Sequence, residues 1–282
     1  MMGDNVLRIP PLQKRKSDSV SLQAKSRPMA TKGRVAELAG MIDHSILHPT
    51  MTDRDLRDGC VLAARLGTAT VCVKPYAVEQ AVRILDGSGV DVCTVAGFPH
   101  GSSTTYVKVS ECAQACKEGA REIDMVVNVG KVIGEDWNYV RDEIDAVNKV
   151  ALSAGAILKV IFENDFLEDA HKIRLCRICT DLGVAFVKTS TGYGYVKGED
   201  GRFATKGVTL EDLRLMRRHS GPDVRIKAAG GIRTLDEMLA AIEAGATRIG
   251  ATATAAILEE ARHRFEGGDS PAPLSGGRDM GY

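Results

Sequence analysis

Short apolar segments alternate with longer amphipathic segments along most of the chain. The short segments are rich in Val, Ile and Ala, and this is typical of parallel strands that are buried on both faces of a sheet. We therefore predict eight strands. They are AGMID (39–43), ATVCV (69–73), VDVCTVAG (90–97), EIDMVVNV (122–129), AILKVIFE (156–163), VAFVKTS (184–190), VRIKAAG (224–230) and TRIGATA (247–253).

The amphipathic segments between these strands predict helices with recognisable ends. One helix begins after the first strand, with Thr52 or Asp53 as its N-cap. Another begins at Thr234, and Glu237 three residues later completes a capping box. Glycines that suit helix C-termini follow several of these segments. They are Gly67, Gly119, Gly155, Gly183 and Gly245.

Eight strand–helix units over about 230 residues predict a single-domain α/β fold, a (β/α)8 TIM barrel. A doubly wound sheet is the alternative, but no GxGxxG sequence follows the first strand. We assign the barrel to residues 33–265. Residues 1–32 are predicted to be a disordered basic arm, or alternatively a targeting peptide, and residues 266–282 a flexible tail.

Composition limits the classes of partner. The 282 residues carry equal numbers of acidic and basic side chains, so net charge does not point to nucleic acid or to a membrane surface. No apolar run approaches the roughly 20 residues of a membrane helix. The seven cysteines indicate reduced thiols in a cytoplasmic protein. The pairs Cys112/Cys116 and Cys176/Cys179 could form a zinc site, but small buried apolar side chains explain them more simply.

Polar residues occur at the ends of several predicted strands, where a barrel of this kind collects its chemistry. They are Asp43, His44, Cys72, Lys74, Asp124, Lys159, Lys188 and Lys227. If Asp124, Lys159, Lys188 and Lys227 all point inward, one carboxylate faces three amines. Like charges so close cannot all stay ionised, so at least one lysine should have a lowered pKa and act as a nucleophile. The alternative is that these lysines only pair with carboxylates such as Asp124 and Glu163.

Glycines at three further strand ends predict an anion site. The segments are TSTG (189–192), AAGGIR (228–233) and IGATAT (249–254). Glycines that lead into helix N-termini expose backbone N–H groups, and many barrels bind a substrate phosphate after their last two strands.

Several of these motifs resemble the deoxyribose-phosphate aldolase family, whose members are class I aldolases built on a (β/α)8 barrel. The resemblance covers roughly residues 35–260. The motifs are MIDHSILHP (41–49), GFPHGSSTTYVKVSE (97–111), EIDMVVNVG (122–130), LKVIFEN (158–164), VKTSTG (187–192), KAAGGIRT (227–234) and EAGATRIGAT (243–252).

The resemblance implies a role for each matched residue. Lys188 matches the Schiff-base lysine, Lys227 the second lysine that perturbs it, and Asp124 the aspartate of the proton relay. Lys159 and Cys72 match supporting positions. The implied residues for substrate and phosphate are Thr191, Gly192, Gly230, Gly231, Gly250 and Thr252. The implied reaction cleaves 2-deoxy-D-ribose 5-phosphate reversibly to acetaldehyde and D-glyceraldehyde 3-phosphate, without a metal or cofactor, and the family suggests a homodimer.

The sequence departs from this family in three places. Ala253 stands where the family commonly has a serine in the phosphate loop, so the grip on phosphate should be weaker. The loop at 192–207 is longer than usual and is either a mobile flap or inert surface. The chain ends in Tyr282, and some members carry a terminal tyrosine that reaches the active site. The alternatives are therefore a Schiff-base aldolase for unphosphorylated or related aldehydes, and a non-catalytic sugar-phosphate-binding barrel.

Overall fold

The computed structural model describes residues 33–198 and 200–267. The predicted basic arm and nearly all of the predicted tail, including Tyr282, lie outside the described residues. The predicted boundary of the barrel at residue 265 falls one residue short of the end of the last helix, at Glu266.

Eight parallel strands form a closed barrel in the order β1-β10-β9-β6-β5-β4-β3-β2. They are β1 Ile42–Ile46, β2 Thr70–Val73, β3 Asp91–Ala96, β4 Glu122–Val126, β5 Ile157–Ile161, β6 Phe186–Lys188, β9 Arg225–Ala229 and β10 Arg248–Ala251. Closure confirms the predicted (β/α)8 barrel and shows that the doubly wound alternative is wrong.

Helices surround the barrel. They are α1 Arg34–Ala39, α2 Asp53–Leu66, α3 Val78–Ile84, α4 Thr105–Glu118, α5 Val129–Ile133, α6 Trp137–Ser153, α7 Asp169–Asp181, α8 Leu210–His219, α9 Leu235–Glu243 and α10 Thr254–Glu266. Short 3-10 turns span Pro75–Ala77 and Asn164–Phe166. Thr52, not Asp53, is the N-cap of α2, and Thr234 forms the predicted capping box with Glu237.

Two parts of the fold differ from the sequence-based prediction. The first strand begins three residues later than predicted, at Ile42, because α1 takes the stretch through Ala39. A small antiparallel hairpin, β7 Val196–Lys197 and β8 Phe203–Ala204, lies within the long loop after β6. These two-residue strands are too short and too exposed to give an apolar alternation in the sequence.

The strand register determines which side chains meet inside the barrel. Ile123 and Met125 of β4 are fully buried in the main hydrophobic core, and Asp124 between them therefore points to the opposite face, into the barrel. Asp124 is paired with Lys159 of β5, and Lys188 of β6 with Lys227 of β9. The fold thus places one carboxylate and three amines on neighbouring inward positions.

His44 connects the first strand to the last helix. Its ring is buried, and Nδ1 lies 2.9 Å from the Thr254 hydroxyl oxygen at the start of α10. Burial lowers the pKa of His44 to about 4 from the ordinary value of 6.5, because the charged imidazolium is poorly solvated there. The unfolded chain therefore takes up a proton at a higher pH than the folded chain does.

We predict that His44 makes the protein less stable as pH falls from 6.5 toward 4. Between pH 7 and pH 5 the parent protein should lose about 2 kcal/mol of unfolding free energy more than a His44→Gln variant. Urea unfolding of both proteins at the two pH values measures this difference. Equal losses would contradict the assignment of a neutral buried His44.

Candidate active site

The polar centre of the barrel is built from five buried side chains on five strands. Asp43 lies on β1, Asp124 on β4, Lys159 on β5, Lys188 on β6 and Lys227 on β9. None is more than 3% exposed. The structure therefore brings together all four charged residues that the sequence predicted to face inward, and it adds Asp43 to them.

Asp124 contacts all three lysines. Its Oδ2 accepts hydrogen bonds from Lys188 Nζ at 2.8 Å and from Lys227 Nζ at 2.7 Å. Its Oδ1 accepts from Lys159 Nζ at 2.9 Å. One carboxylate therefore links the amine expected to be nucleophilic with the two other amines.

Asp43 is a second carboxylate in the same centre. Its Oδ2 accepts from Lys159 Nζ at 2.9 Å and from Lys227 Nζ at 2.5 Å. Its Oδ1 accepts from Arg248 Nη1 at 2.5 Å. The sequence showed Asp43 as a polar residue at the end of a predicted strand, but gave no reason to join it to the lysines.

Glu122 and Arg248 form the floor of the centre. Arg248 Nη1 lies 2.8 Å from Glu122 Oε2, and Lys159 Nζ lies 2.7 Å from the same oxygen. Three carboxylates thus face three lysines and one arginine. The expectation of a single carboxylate among three amines was wrong, because Asp43 and Glu122 also neutralise the amines.

Lys159 and Lys227 are held protonated by the carboxylates around them. Burial alone would lower the pKa of Lys159, but the nearby Asp124 and Asp43 carboxylates outweigh burial and raise it well above the usual range. The same carboxylates raise the pKa of Lys227 against burial. The lowered lysine pKa expected from the sequence therefore does not fall on either of these residues.

The aspartates respond in the opposite direction. Burial would raise the pKa of Asp124, but the ammonium groups of Lys159, Lys188 and Lys227 together hold it well below its usual range. Lys159, Lys227 and Arg248 likewise lower the pKa of Asp43 against the effect of burial. Both carboxylates are therefore ionised at neutral pH and act as hydrogen-bond acceptors.

Two thiols border this centre. Cys72 of β2 is opposite Cys93 of β3, which the sequence did not single out. Cys93 Sγ lies 3.3 Å from Asp124 Oδ1 and 3.2 Å from Lys159 Nζ. A hydrogen bond from Cys93 lowers the pKa of Cys72, whereas burial raises that of Cys93.

Metal binding does not fit the residues present. The groups with suitable ligand spacing in the described part of the chain are Cys72–Cys93–Asp124 and Asp43–Cys93–Glu122. Both contain atoms that contact the Lys159 ammonium, which already supplies the positive charge. The helical cysteines 112, 116, 176 and 179 belong to neither group, and all seven cysteines are free thiols.

A cleft opens above the centre at the carboxyl ends of the strands. Lys188, Lys227, Cys72 and Asp43 lie along it, whereas Asp124 and Lys159 lie beneath. All six predicted substrate and phosphate residues line this cleft. They are Thr191, Gly192, Gly230, Gly231, Gly250 and Thr252. Ser45 and Arg233 also line it, and the sequence gave no specific reason to select them.

Backbone geometry explains the glycines of the cleft wall. Gly230 and Gly231 have φ angles of 99° and 96°, a region that side chains disfavour. A Cβ on Gly250 would lie 3.2 Å from the Ala229 Cβ. Ala253 is the N-cap of α10 and forms no side-chain cap hydrogen bond. This wall therefore exposes backbone rather than side chains.

The fold and the site together define the chain as a (β/α)8-barrel protein with a buried lysine–carboxylate centre that opens to a cleft at the carboxyl ends of the strands. The sequence profile of the DeoC/LacD family aldolase matches residues 38–260. The chain belongs to this family of aldolases.

Individual relatives support the same placement. The chain is 48% identical to the deoxyribose-phosphate aldolase of Rhodopirellula baltica, over 81% of this chain and 91% of the relative. It is 44% identical to that of Thermococcus gammatolerans, over 80% and 97%. Among solved structures, the tetrameric deoxyribose phosphate aldolase of Aeropyrum pernix is 29% identical and superposes with a TM-score of 0.72, covering 81% of this chain and 92% of its own.

We predict that Asp43 is required to balance the buried cations. An Asp43→Asn change leaves Lys159, Lys227 and Arg248 short of one carboxylate and should lower the free energy of unfolding by about 3–5 kcal/mol. Asp91→Asn at the exposed start of β3 is the control and should change stability by less than about 0.5 kcal/mol. Chemical denaturation measures both, and equal stability of the two variants would refute the prediction.

Proposed function

We propose that this chain is a class I aldolase that reversibly cleaves 2-deoxy-D-ribose 5-phosphate through a Schiff base on Lys188. The observation that carries the proposal is the position of Lys188, which lines the cleft while its Nζ contacts Asp124 Oδ2 at 2.8 Å. The names of the relatives point to the same substrate.

The first step joins Lys188 to the sugar. Lys188 passes a proton to Asp124, and its Nζ attacks the C1 aldehyde of the open-chain substrate. The same proton returns to the carbinolamine hydroxyl, which leaves as water and gives an iminium ion. The iminium withdraws electrons from the neighbouring carbon, so it provides the polarisation that a metal ion supplies in other aldolases.

The second step breaks the C2–C3 bond. Asp124 takes the proton of the C3 hydroxyl through a water molecule, and the bond electrons move to C2 and the iminium to give an enamine. Lys227 lines the cleft and donates hydrogen bonds to both Asp124 and Asp43. It therefore lies between the C3 oxygen of the bound sugar and these two buried carboxylates. Glyceraldehyde 3-phosphate leaves, C2 of the enamine takes up the proton that Asp124 accepted, and water then hydrolyses the resulting iminium to release acetaldehyde from Lys188.

Lys159 and Cys72 support this chemistry from different positions. Lys159 contacts Asp43, Asp124 and Glu122 and fixes the carboxylates beneath the cleft. Cys72 contributes a small, 2% exposed side chain to the cleft wall beside Lys188. Neither residue needs to transfer a proton for the reaction to be complete.

The phosphate is proposed to bind at the glycine-lined wall. Backbone N–H groups of Gly230 and Gly231 and the hydroxyl of Thr252 are suitable donors for an anion at the start of α10, and Gly250 within β10 leaves room by its missing side chain. Ala253 offers no hydroxyl there. This single observation supports a second candidate function, a Schiff-base aldolase that accepts unphosphorylated aldehydes.

The assembly and location of the enzyme are part of the proposal. We propose a homo-oligomer, with a homodimer as the expected form, although the Aeropyrum pernix relative is described as tetrameric. Light scattering on the purified protein distinguishes the two. Within the described residues no helix is long and apolar enough to cross a bilayer. We propose a cytoplasmic enzyme because its seven cysteines are free thiols.

We predict that borohydride reduction in the presence of acetaldehyde attaches an ethyl group to Lys188. Peptide mapping by mass spectrometry identifies the modified lysine. A Lys188→Ala variant should lose the adduct and lower kcat by about 10³-fold or more, because the nucleophile is gone. The exposed Lys149→Ala variant is the control. An adduct on another lysine, or an active Lys188→Ala enzyme, would refute the mechanism.

We further predict that Ala253→Ser makes the enzyme bind the phosphate group of the substrate more tightly. One added hydroxyl donor should lower KM for deoxyribose 5-phosphate by about 2–10-fold and leave KM for deoxyribose unchanged. Steady-state kinetics with both sugars test this. A parallel change for the two sugars would show that residue 253 does not face the phosphate.

A further inference from the structure

Two carboxylates on one short turn hold both ends of the long loop between β6 and α8. The turn follows β5 and contains Glu163 and Asp165. The loop runs from residue 191 to residue 207 and includes the β7–β8 hairpin. We call these two carboxylates the loop clamp.

Glu163 holds the beginning of the loop. Its carboxylate accepts from the Thr191 N–H at 3.1 and 3.3 Å and also contacts the Thr191 hydroxyl. The Thr191 hydroxyl oxygen in turn accepts from the Tyr193 N–H at 2.9 Å. Glu163 is 2% exposed and has a φ angle of 59°, a costly conformation for a residue other than glycine.

Asp165 holds the end of the loop. Its Oδ2 accepts from the Thr205 hydroxyl at 2.9 Å, from the Lys206 N–H at 2.6 Å and from the Gly207 N–H at 3.2 Å. A single side chain therefore fixes three consecutive residues.

Both held segments belong to the wall of the cleft or touch it. Thr191 and Gly192 line the cleft directly. At the other end, the Val208 N–H donates to the Gly230 carbonyl oxygen at 2.9 Å, and a Cβ on Gly207 would collide with that oxygen. Gly230 lines the cleft at the proposed phosphate wall. The clamp thus links the Thr191 side of the cleft to the loop residues that contact Gly230, in addition to the direct pairing of β6 with β9.

We propose that Glu163 and Asp165 are positioning residues that determine selectivity for the phosphorylated substrate. They act through the loop, which keeps the two walls at the spacing that an anion requires. This inference rests on the proposed aldolase function. It assigns the long loop a role in specificity, in place of an inert surface.

The test compares the phosphorylated and unphosphorylated sugars. Asp165→Ala should raise KM for deoxyribose 5-phosphate by about tenfold and change kcat/KM for deoxyribose by less than about twofold. Asp165→Asn keeps an acceptor oxygen, so its KM for deoxyribose 5-phosphate should lie between those of the parent and Asp165→Ala. Glu163→Ala should raise this KM as Asp165→Ala does. Asp200→Ala is the matched control and should leave both sugars unchanged, because the contacts of Asp200 within the described residues are with Arg202 in the hairpin.

Two further measurements separate selectivity from general damage. Borohydride trapping of acetaldehyde on Lys188 involves no phosphate, so its rate should be the same in the parent and in Asp165→Ala. Calorimetric titration with inorganic phosphate should show about tenfold weaker binding to Asp165→Ala than to the parent or to Asp200→Ala.

Several results would overturn the inference. Equal losses for the two sugars, or slowed trapping, would show that the clamp only maintains the fold. Unchanged KM and unchanged phosphate binding would show that the loop does not shape the phosphate wall. If the parent protein cleaves neither sugar and forms no adduct, the proposed function fails. The phosphate titration of Asp165→Ala against Asp200→Ala then still decides whether the clamp shapes an anion site.

Discussion

The structure depends on the burial of a charged cluster inside a barrel whose remaining core is apolar. An isolated buried charge is strongly unfavourable, and removal of one partner of a buried pair costs more than the pair itself contributes. Asp124 reduces the free-energy cost of burying these charges, because its two oxygens accept hydrogen bonds from Lys159, Lys188 and Lys227. Each strand that contributes a member must keep its register, since a shift of one residue would turn the charge outward.

The cluster is arranged in layers along the barrel axis, and each layer has a different relation to solvent. Arg248 and Glu122 form the floor and are slightly exposed at the amino ends of their strands. Lys159 lies above them and is completely buried. Lys188 and Lys227 reach the cleft. Charge that is fixed below therefore sets the electrostatic environment of the amines above, as preorganised catalytic sites require.

The sequence predicted the eight-stranded barrel and the inward position of four charged side chains, because a single polar residue in an apolar strand is a local signal. These residues are Lys188, Lys227, Asp124 and Lys159. The sequence did not identify the side chains that pair with them. Asp43 and Arg248 are separated by 205 positions and meet only when the barrel closes. Glu122 is the first residue of β4 and Arg248 the first residue of β10, so both resemble ordinary charges at strand starts. The loop clamp was missed for the same reason, since Asp165 meets Lys206 across 41 positions.

The long-range partners of Asp43 have a consequence for how the chain is made. Asp43 lies on β1, which is synthesised before the other barrel strands, but Lys227 and Arg248 follow it by 184 and 205 positions. During synthesis the early strands therefore carry an aspartate that lacks two of its three cations, and the desolvation penalty opposes its burial until they arrive. Lys159 is the earliest available partner. The barrel closes only when β1 pairs with the last strand, β10. An unpaired buried Asp43 destabilises any half-barrel formed earlier, and this favours a complete barrel over a stable half-barrel.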